Sequence, residues 1–311
     1  MKKLVYLLSL ILFVSCGNDS TKEQSEVKAN SENSNDSLVS VEKEDPTPSL
    51  GQSAQIVIGT SNYSETVRFY ETLGWKTTAS EIDPWKWNLL YDGSTMLMIT
   101  EDTINYLGFG YHSNEAINVY VDLLKSEIKP MMSVNNPETN EVWFNVYDSP
   151  DSVSFSVVNE ALEMMEVTNA GEIFSAATGT KFEFVNPIVG TYQEFALSVE
   201  DLDESIKYWK NLGFENNGIK DQPYRYTIAY DGLMILGLHE TKGMWDGNVL
   251  TYSGHGVEEN KSAVEVLQAN GFALDVEEMV WDDMVFEGNF LIPDPAGNVF
   301  MLTTDLTVLK K

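Results

Sequence analysis

Histidine and cysteine, the side chains best suited to acid–base chemistry and metal binding, are scarce in this chain. Its 311 residues include three histidines, His112, His239 and His255, and one cysteine, Cys16. His112 and His255 are equivalent in an internal repeat and stand where a strand gives way to a helix, which favours a structural or capping role. His239 ends a strand, and because alternate strand residues share a face, it points the same way as Gly237.

Large aromatic side chains are a second group with chemical potential. Trp85 and Trp87 align through the repeat with Tyr224 and Tyr226, and in each copy the two rings fall on one face of a strand. Trp143 falls on a late strand of the first copy. Rings that line a concave apolar surface suit a flat or amphipathic ligand. The alternative is that these rings pack beneath helices.

These residues belong to a sequence that repeats itself. Residues 61–75 match residues 200–214 at a shift of 139, and the turn at 92–93 matches the turn at 231–232 at the same shift. The shift grows to 145 further along, as expected for copies that differ in loop length. A period near 140 residues indicates two copies of a whole domain rather than a solenoid.

Each copy reads as the same string of elements. Alternating apolar runs predict strands at 55–60 and 194–199. A helix follows and ends at Gly74 or Gly213, and an Asp-Gly turn then predicts a hairpin. The second half of each copy repeats this order. The sequence therefore predicts an α+β protein built from four βαβββ modules.

The four modules resemble the vicinal oxygen chelate superfamily, the group of glyoxalase I, bleomycin-resistance proteins and extradiol dioxygenases. The resemblance is carried by the helix ends at 73–75 and 212–214 and by the turn at 294–298, which is similar to the family's D-P-x-G-N. The strand at 224–230 also looks like the third strand of glyoxalases.

This resemblance implies two tandem domains, each a curled mixed sheet with flanking helices. They cover 54–159 and 191–305, with a linker at 160–190 and a C-terminal tail at 306–311. Domain pairing within the chain predicts a monomer.

In this superfamily each domain forms a cup whose metal ligands sit on the first and fourth strands of its modules. The resemblance places these positions at Gln55, Met98, Tyr106 and Ser156 in the first domain, and at Glu194, Gly237, Val249 and Met301 in the second. A catalytic metal needs at least three protein ligands, which neither set supplies. We therefore expect no cofactor, and a divalent metal only if the protein is an enzyme with a non-standard site.

Glu194 and His239 are the candidates for catalysis. They could form an acid–base pair, or two ligands of an unconventional metal site with Glu240 nearby, or His239 could be a polar residue at a strand end. The candidates for a ligand-binding cleft are Gln55, Trp87, Met98, Tyr106, Trp143, Ser156, Glu194, Tyr226, Gly237, His239 and Met301.

The N-terminus predicts export. Lys2 and Lys3 precede an apolar run at 4–14, which is too short for a span of about 20 residues and fits a signal peptide covering 1–16. Its end at 13–16 resembles a bacterial lipobox, which implies a lipidated Cys16. The alternative is an ordinary secretory signal with an incidental cysteine.

Residues 17–53 lack aromatic side chains and are rich in polar ones, which predicts a disordered tether. A formal net charge of −29 argues against nucleic acid as a partner. A single cysteine permits no intramolecular disulfide, so two hydrophobic cores are expected to stabilise the chain.

Three functions remain open from the sequence. The first is a lipid-anchored, metal-free protein of the bacterial envelope that binds a small organic ligand or a partner protein. The second is a lyase, isomerase or dioxygenase with a non-standard metal site in the second domain. The third is an envelope-interaction lipoprotein whose cups are filled by their own side chains. The lipoprotein is expected on the outer membrane, facing the periplasm or the exterior.

Overall fold

The computed structural model describes residues 49–304, except 83–84, 137–138, 160–185, 223, 242–244, 246, 255, 275, 277 and 282–283. The predicted signal peptide and C-terminal tail lie outside the described residues, as do most of the tether and linker. Within the described ranges, no helix is both long and apolar enough to cross a membrane.

Both copies of the repeat contain the βαβββ order twice, which confirms the predicted fold class. The first copy comprises β1 (Ser53–Thr60), α1 (Tyr63–Thr72), β2 (Lys76–Glu81), β3 (Trp87–Tyr91), β4 (Met96–Glu101), β5 (Tyr106–His112), α2 (Ala116–Lys125), β6 (Met132–Asn135), β7 (Val142–Asp148) and β8 (Ser154–Val158). The second copy comprises β9 (Thr191–Ser198), α3 (Leu202–Asn211), β10 (Glu215–Asn216), β11 (Tyr226–Tyr230), β12 (Ile235–His239), β13 (Asn248–Ser253), α4 (Val257–Ala269), β14 (Glu278–Trp281), β15 (Met284–Pro293) and β16 (Val299–Thr303).

Each copy forms one mixed sheet of eight strands. The strand orders are β2-β3-β4-β1-β5-β8-β7-β6 and β10-β11-β12-β9-β13-β16-β15-β14. In both sheets the first strands of the two modules pair antiparallel at the centre. Each of these central strands pairs in parallel with the last strand of its own module. The identical orders follow from the duplicated pattern of apolar residues and turns.

Local sequence signals explain where the helices stop and start. Gly74 and Gly213 have φ values of 103° and 93°, the left-handed conformation that ends α1 and α3 at little steric cost. The Asp201 side chain accepts the backbone N–H groups of Asp203 and Glu204, which caps the first turn of α3.

The two sheets are joined by reciprocal hydrogen bonds at their Asp-Gly turns. The Tyr252 hydroxyl of β13 donates to Asp92 at 2.8 Å, and the Tyr111 hydroxyl of β5 donates to Asp231 at 2.5 Å. Each tyrosine belongs to one copy and each aspartate to the other. Burial raises the pKa of both carboxyl groups, because a charged group loses hydration there.

A second reciprocal pair joins the helices to the opposite sheet. Tyr70 of α1 donates to Asp294 at 3.0 Å, and Trp209 of α3 donates to Asp151 at 2.8 Å. The Asp-Pro-Ala-Gly-Asn turn therefore has an interface role in addition to its turn geometry.

The hydrophobic core runs continuously through both copies. Trp75 packs against Tyr252 with ring centroids 5.0 Å apart, and Phe109 lies 5.9 Å from Trp209. One cluster of buried residues contains side chains from both sheets. The expectation of two separate cores is therefore wrong, because the helix-side faces of the two sheets are buried against each other.

Candidate functional site

The face of each sheet that is turned away from this shared core carries the predicted site residues except Trp143, which lies with the core residue Tyr147 on the other face of β7. Trp85 and Trp143 show that the first sheet is strongly curled. Trp85 precedes β3 and Trp143 lies in β7. These two strands are five positions apart in the sheet, a distance of about 24 Å if the sheet were flat. Their ring centroids are only 4.9 Å apart. This sheet therefore closes into a cup, as the family resemblance implies.

We name the two concave faces by their residues. The first cup contains Gln55, Trp87, Met98, Gly110 and Ser156. The second cup contains Glu194, Tyr226, Gly237, His239, Thr251 and Met301. Several of these residues, including Trp87, Met98, Tyr226 and Met301, are only partly buried, so both faces retain contact with solvent.

Strand pairing corrects one position in each predicted set. Gln55 is opposite Gly110, which is itself opposite Ser156. Tyr106 is instead opposite Gly59, four residues further along the strand. The physical reason is that β1 and β5 run antiparallel, so a residue near the start of β1 meets one near the end of β5.

The same correction applies to the second cup. Thr251 is opposite Glu194 on one side and Met301 on the other. Val249, the position expected from the sequence, is opposite Ala196. The third position of this cup therefore carries a hydroxyl group. The Thr251 hydroxyl is buried and has no hydrogen-bond partner among the described residues.

Glu194 and His239 form a buried hydrogen-bonded pair in the second cup. His239 Nε2 lies 3.0 Å from Glu194 Oε1, and both side chains are at most 8% exposed. Glu194 comes from β9 and His239 from β12, which is its parallel neighbour. Glu240 is directed elsewhere, because it lies 3.5 Å from Arg225.

Aromatic side chains extend this pair towards the rim of the second cup. The Tyr224 hydroxyl lies 3.3 Å from His239 Nδ1, and Trp245 donates a hydrogen bond to Tyr224. Tyr226 stacks on the imidazole with ring planes within 6° and centroids 5.5 Å apart. An indole can only donate and a carboxylate can only accept.

These contacts form a chain of hydrogen bonds from Trp245 through Tyr224 and His239 to Glu194. Because a carboxylate can only accept, Nε2–H of His239 donates to Glu194.

Glu194 also affects the pKa values of the neighbouring tyrosines. Burial raises the pKa of Tyr224 and of Tyr226, and the negative charge of Glu194 raises both further. The same two causes raise the pKa of Tyr192. These phenols remain protonated donors at neutral pH.

Gly237 provides the space for the pair. A Cβ atom at this position would lie 2.3 Å from His239 Nε2 and 2.4 Å from Glu194 Oε2. Such distances are far inside van der Waals contact, so a larger residue would displace the pair. The absence of a side chain at this predicted ligand position is what permits the Glu194–His239 contact.

The first cup has different chemistry at the matched positions. Gln55 replaces Glu194, and its Nε2 lies 3.6 Å from the sulfur of Met98, which replaces Gly237. The Gln55 Oε1 atom is buried without a hydrogen-bond partner among the described residues. The ring of Tyr106 covers Gly59 at the far end of this face.

One of the two repeat-related histidines, His112, lies in the described part of the chain. His112 is buried, and neither of its ring nitrogens has a hydrogen-bond partner in the described part of the chain. Burial lowers its pKa to about 4, which keeps the ring neutral. A capping role is therefore not seen for His112, and His255 lies outside the described residues.

The side chains present do not fit a catalytic metal of the usual kind. The described residues contain no group of three or more His, Cys, Asp or Glu side chains that could hold an ion. In the second cup, Glu194 and His239 are two donors already bonded to each other, and Gly237 and Met301 supply no nitrogen or oxygen ligand. An open catalytic site requires at least three protein ligands.

The chain has the fold of two tandem domains of the vicinal oxygen chelate type. Solved structures of homoprotocatechuate 2,3-dioxygenase share the fold. The native enzyme from Arthrobacter globiformis matches 85% of this chain and 82% of its own, with a TM-score of 0.53 and 15% identity. A variant from Brevibacterium fuscum matches 84% of this chain and 73% of its own, with a TM-score of 0.53 and 14% identity. No family model and no curated protein matches the sequence.

Three residues in or beside the second cup were not among the sequence candidates for the ligand-binding cleft. Tyr224 could have been included, because it alternates with Tyr226 on the same face. Thr251 required the strand register. Trp245 lies in a connection outside any strand and carries no periodic signal.

Proposed function

We propose that the protein binds a small organic ligand in the second cup without a metal ion. The observation that carries this proposal is the buried Glu194–His239 pair beside the partly exposed rings of Tyr224 and Tyr226. Ligand sites of this kind combine apolar walls with a few placed polar groups. The shared fold supports a ligand cup at this place.

Two features favour an open cup over one filled by its own side chains. Met301 and Tyr226 remain partly exposed although they face the concave side. Thr251 has a buried hydroxyl without a partner in the described structure, and a buried hydroxyl left unbonded is costly. A ligand or a water molecule would satisfy it.

Ligand-observed NMR with a library of single-ring fragments tests the proposal on the full chain. Met301→Trp narrows the second cup and should abolish binding, whereas Ser156→Trp, the matched change in the first cup, should leave binding intact. Circular dichroism establishes that both variants are folded. Binding that survives Met301→Trp, or is lost only in Ser156→Trp, would contradict a site in the second cup.

A metalloenzyme with a non-standard site is the second candidate. It is favoured by the presence of one carboxylate and one imidazole in the same cup of a fold shared with dioxygenases. Elemental mass spectrometry after exposure to iron, manganese, zinc and nickel tests it. One metal equivalent that disappears in Glu194→Ala and His239→Ala would replace the metal-free proposal. Less than about a tenth of an equivalent would eliminate the second candidate.

We also propose that Cys16 is lipidated and anchors the protein to the bacterial cell envelope. This rests on the sequence at 1–16, which lies outside the described residues. The expected result is detergent-phase partitioning that is lost in Cys16→Ser, with a matching loss of acyl mass. A water-soluble wild-type protein cleaved at another residue would contradict it.

A further inference from the structure

We infer that the ligand of the second cup is an arylalkylamine, an aromatic ring with a primary ammonium group. This rests on the proposed function and names the ligand chemistry for the same site. Three properties of the second cup carry it: a buried carboxylate without a lysine or arginine partner among the described residues, acceptors for N–H groups and walls of aromatic rings.

The carboxylate of Glu194 has no lysine or arginine partner among the described residues. Its one ion-pair contact there is with His239. Arg225 is engaged by Asp203 at 3.2 Å and Glu240 at 3.5 Å. A buried carboxylate is stabilised by a cation, so an ammonium group of a ligand is a suitable partner for Glu194.

Two acceptors are placed to receive the N–H groups of such a ligand. The His239 contact uses Oε1 of Glu194, which leaves Oε2, packed beside Gly237, as a further acceptor. The Thr251 hydroxyl is on the adjacent strand, opposite Glu194, and has no partner in the described residues. A primary ammonium has three N–H donors, so it can satisfy both groups at once.

The walls of the second cup suit the rest of the ligand. Tyr224, Tyr226 and Trp245 surround His239 within 5.7 Å between ring centroids. Faces of tyrosine and tryptophan rings attract cations and stack on aromatic groups. The chain itself illustrates this attraction, since Lys220 Nζ lies 5.3 Å from the centroid of Tyr226. Lys220 is exposed at the rim and would compete weakly with a bound cation.

Isothermal titration calorimetry of the full chain with three probes of similar size tests the inference. The probes are phenethylamine, phenethyl alcohol and phenylacetate. We expect phenethylamine to bind about tenfold more tightly than the alcohol and phenylacetate to bind most weakly. Glu194→Gln should weaken phenethylamine by about tenfold and change the alcohol less than about twofold.

Matched variants separate this site from general attraction to an acidic surface. Glu200→Gln removes the same charge from an exposed position and should leave phenethylamine binding unchanged. Trp87→Leu in the first cup should also leave it unchanged, whereas Tyr226→Leu should weaken all probes that bind. Lys220→Gln should strengthen phenethylamine by about twofold.

The outcomes distinguish the inference from the function on which it rests. If phenethyl alcohol or phenylacetate binds as tightly as phenethylamine and is lost in Met301→Trp, the second cup binds ligands but the cationic class is wrong. If the affinity for phenethylamine is the same in Glu194→Gln, the carboxylate has no role and the inference fails. If no probe binds with sensitivity to Met301→Trp, the inference fails, and the fragment library alone decides the proposed function.

Discussion

The two cups share a strand order but differ in the side chains at their matched central positions. The first cup pairs the amide of Gln55 with Met98, whereas the second pairs the carboxyl group of Glu194 with His239 above Gly237. The interface between the copies, by contrast, has kept its reciprocal tyrosine–aspartate bonds. We therefore expect the interface to stabilise both copies equally and ligand binding to be concentrated in the second cup.

The largest expected effect comes from a substitution that disrupts the Glu194–His239 pair of the second cup. His239→Leu leaves the Glu194 carboxylate buried without its hydrogen bond, which should destabilise the protein by about 2–3 kcal/mol. Thr100→Val, the matched change in the first cup, should cost less than about 0.5 kcal/mol. Urea unfolding of both variants measures the difference. Equal losses in the free energy of unfolding would mean that these positions contribute equally to stability in the two cups.

The interface should respond symmetrically where the cups do not. Tyr252→Phe and Tyr111→Phe each remove a hydroxyl that donates to a buried aspartate of the other copy. Each should lower the free energy of unfolding by about 1–2 kcal/mol. A variant that is neutral while its counterpart is strongly destabilised would show that the two halves of the interface are not equivalent.

The pH dependence of stability also tests whether the two halves of the interface are equivalent. Burial raises the folded-state pKa of Asp231 above its ordinary value of 3.8. The folded protein therefore binds this proton more readily than the unfolded chain does, and stability falls as pH rises from about 4 through the raised pKa. Asp231→Asn removes this contribution, so stability should fall less between about pH 4 and pH 7 in the variant than in the wild type.

Asp92→Asn provides the matched test on the other copy. Because burial also raises the pKa of Asp92, the pH profile should change in the same direction. Chemical denaturation at a series of pH values follows both variants. A steeper profile in either variant would contradict the assigned sign.

The smallest expected effect comes from the contact between Trp85 and Trp143 in the first sheet. Trp85→Ala removes the ring that contacts Trp143 and should cost about 0.5–1.5 kcal/mol. Binding of fragments to the second cup should be unaffected. A loss of binding in this variant would indicate that the two cups act together.

Local signals in the sequence were sufficient to predict the fold. Alternating apolar runs marked the first strands, the Asp-Gly pairs marked the hairpins, and Gly74 and Gly213 marked the helix ends. Each of these signals acts within a few residues, and the repeat supplied every one of them twice. The prediction of two cores failed because packing between the copies is a long-range property.

The site was predictable only in part, because several of its contacts also depend on long-range pairing and packing. Strand alternation placed His239 on the face of Gly237, and the resemblance placed Glu194 beside it. The pairing of Thr251 with Glu194 depends on strand register, which shifts by one residue between Thr251 and Tyr252. Trp245 reaches the site from a connection, where no period applies.

The most direct test of the account is an NMR titration of the full chain with labelled methionine methyl groups. Met301 reports on the second cup and Met98 on the first, and Met301→Leu and Met98→Leu assign their signals. On addition of phenethylamine, the account predicts that the Met301 methyl shifts saturably while the Met98 methyl stays in place. A saturable shift of Met98 alone, or no shift of Met301 at any concentration, would contradict it.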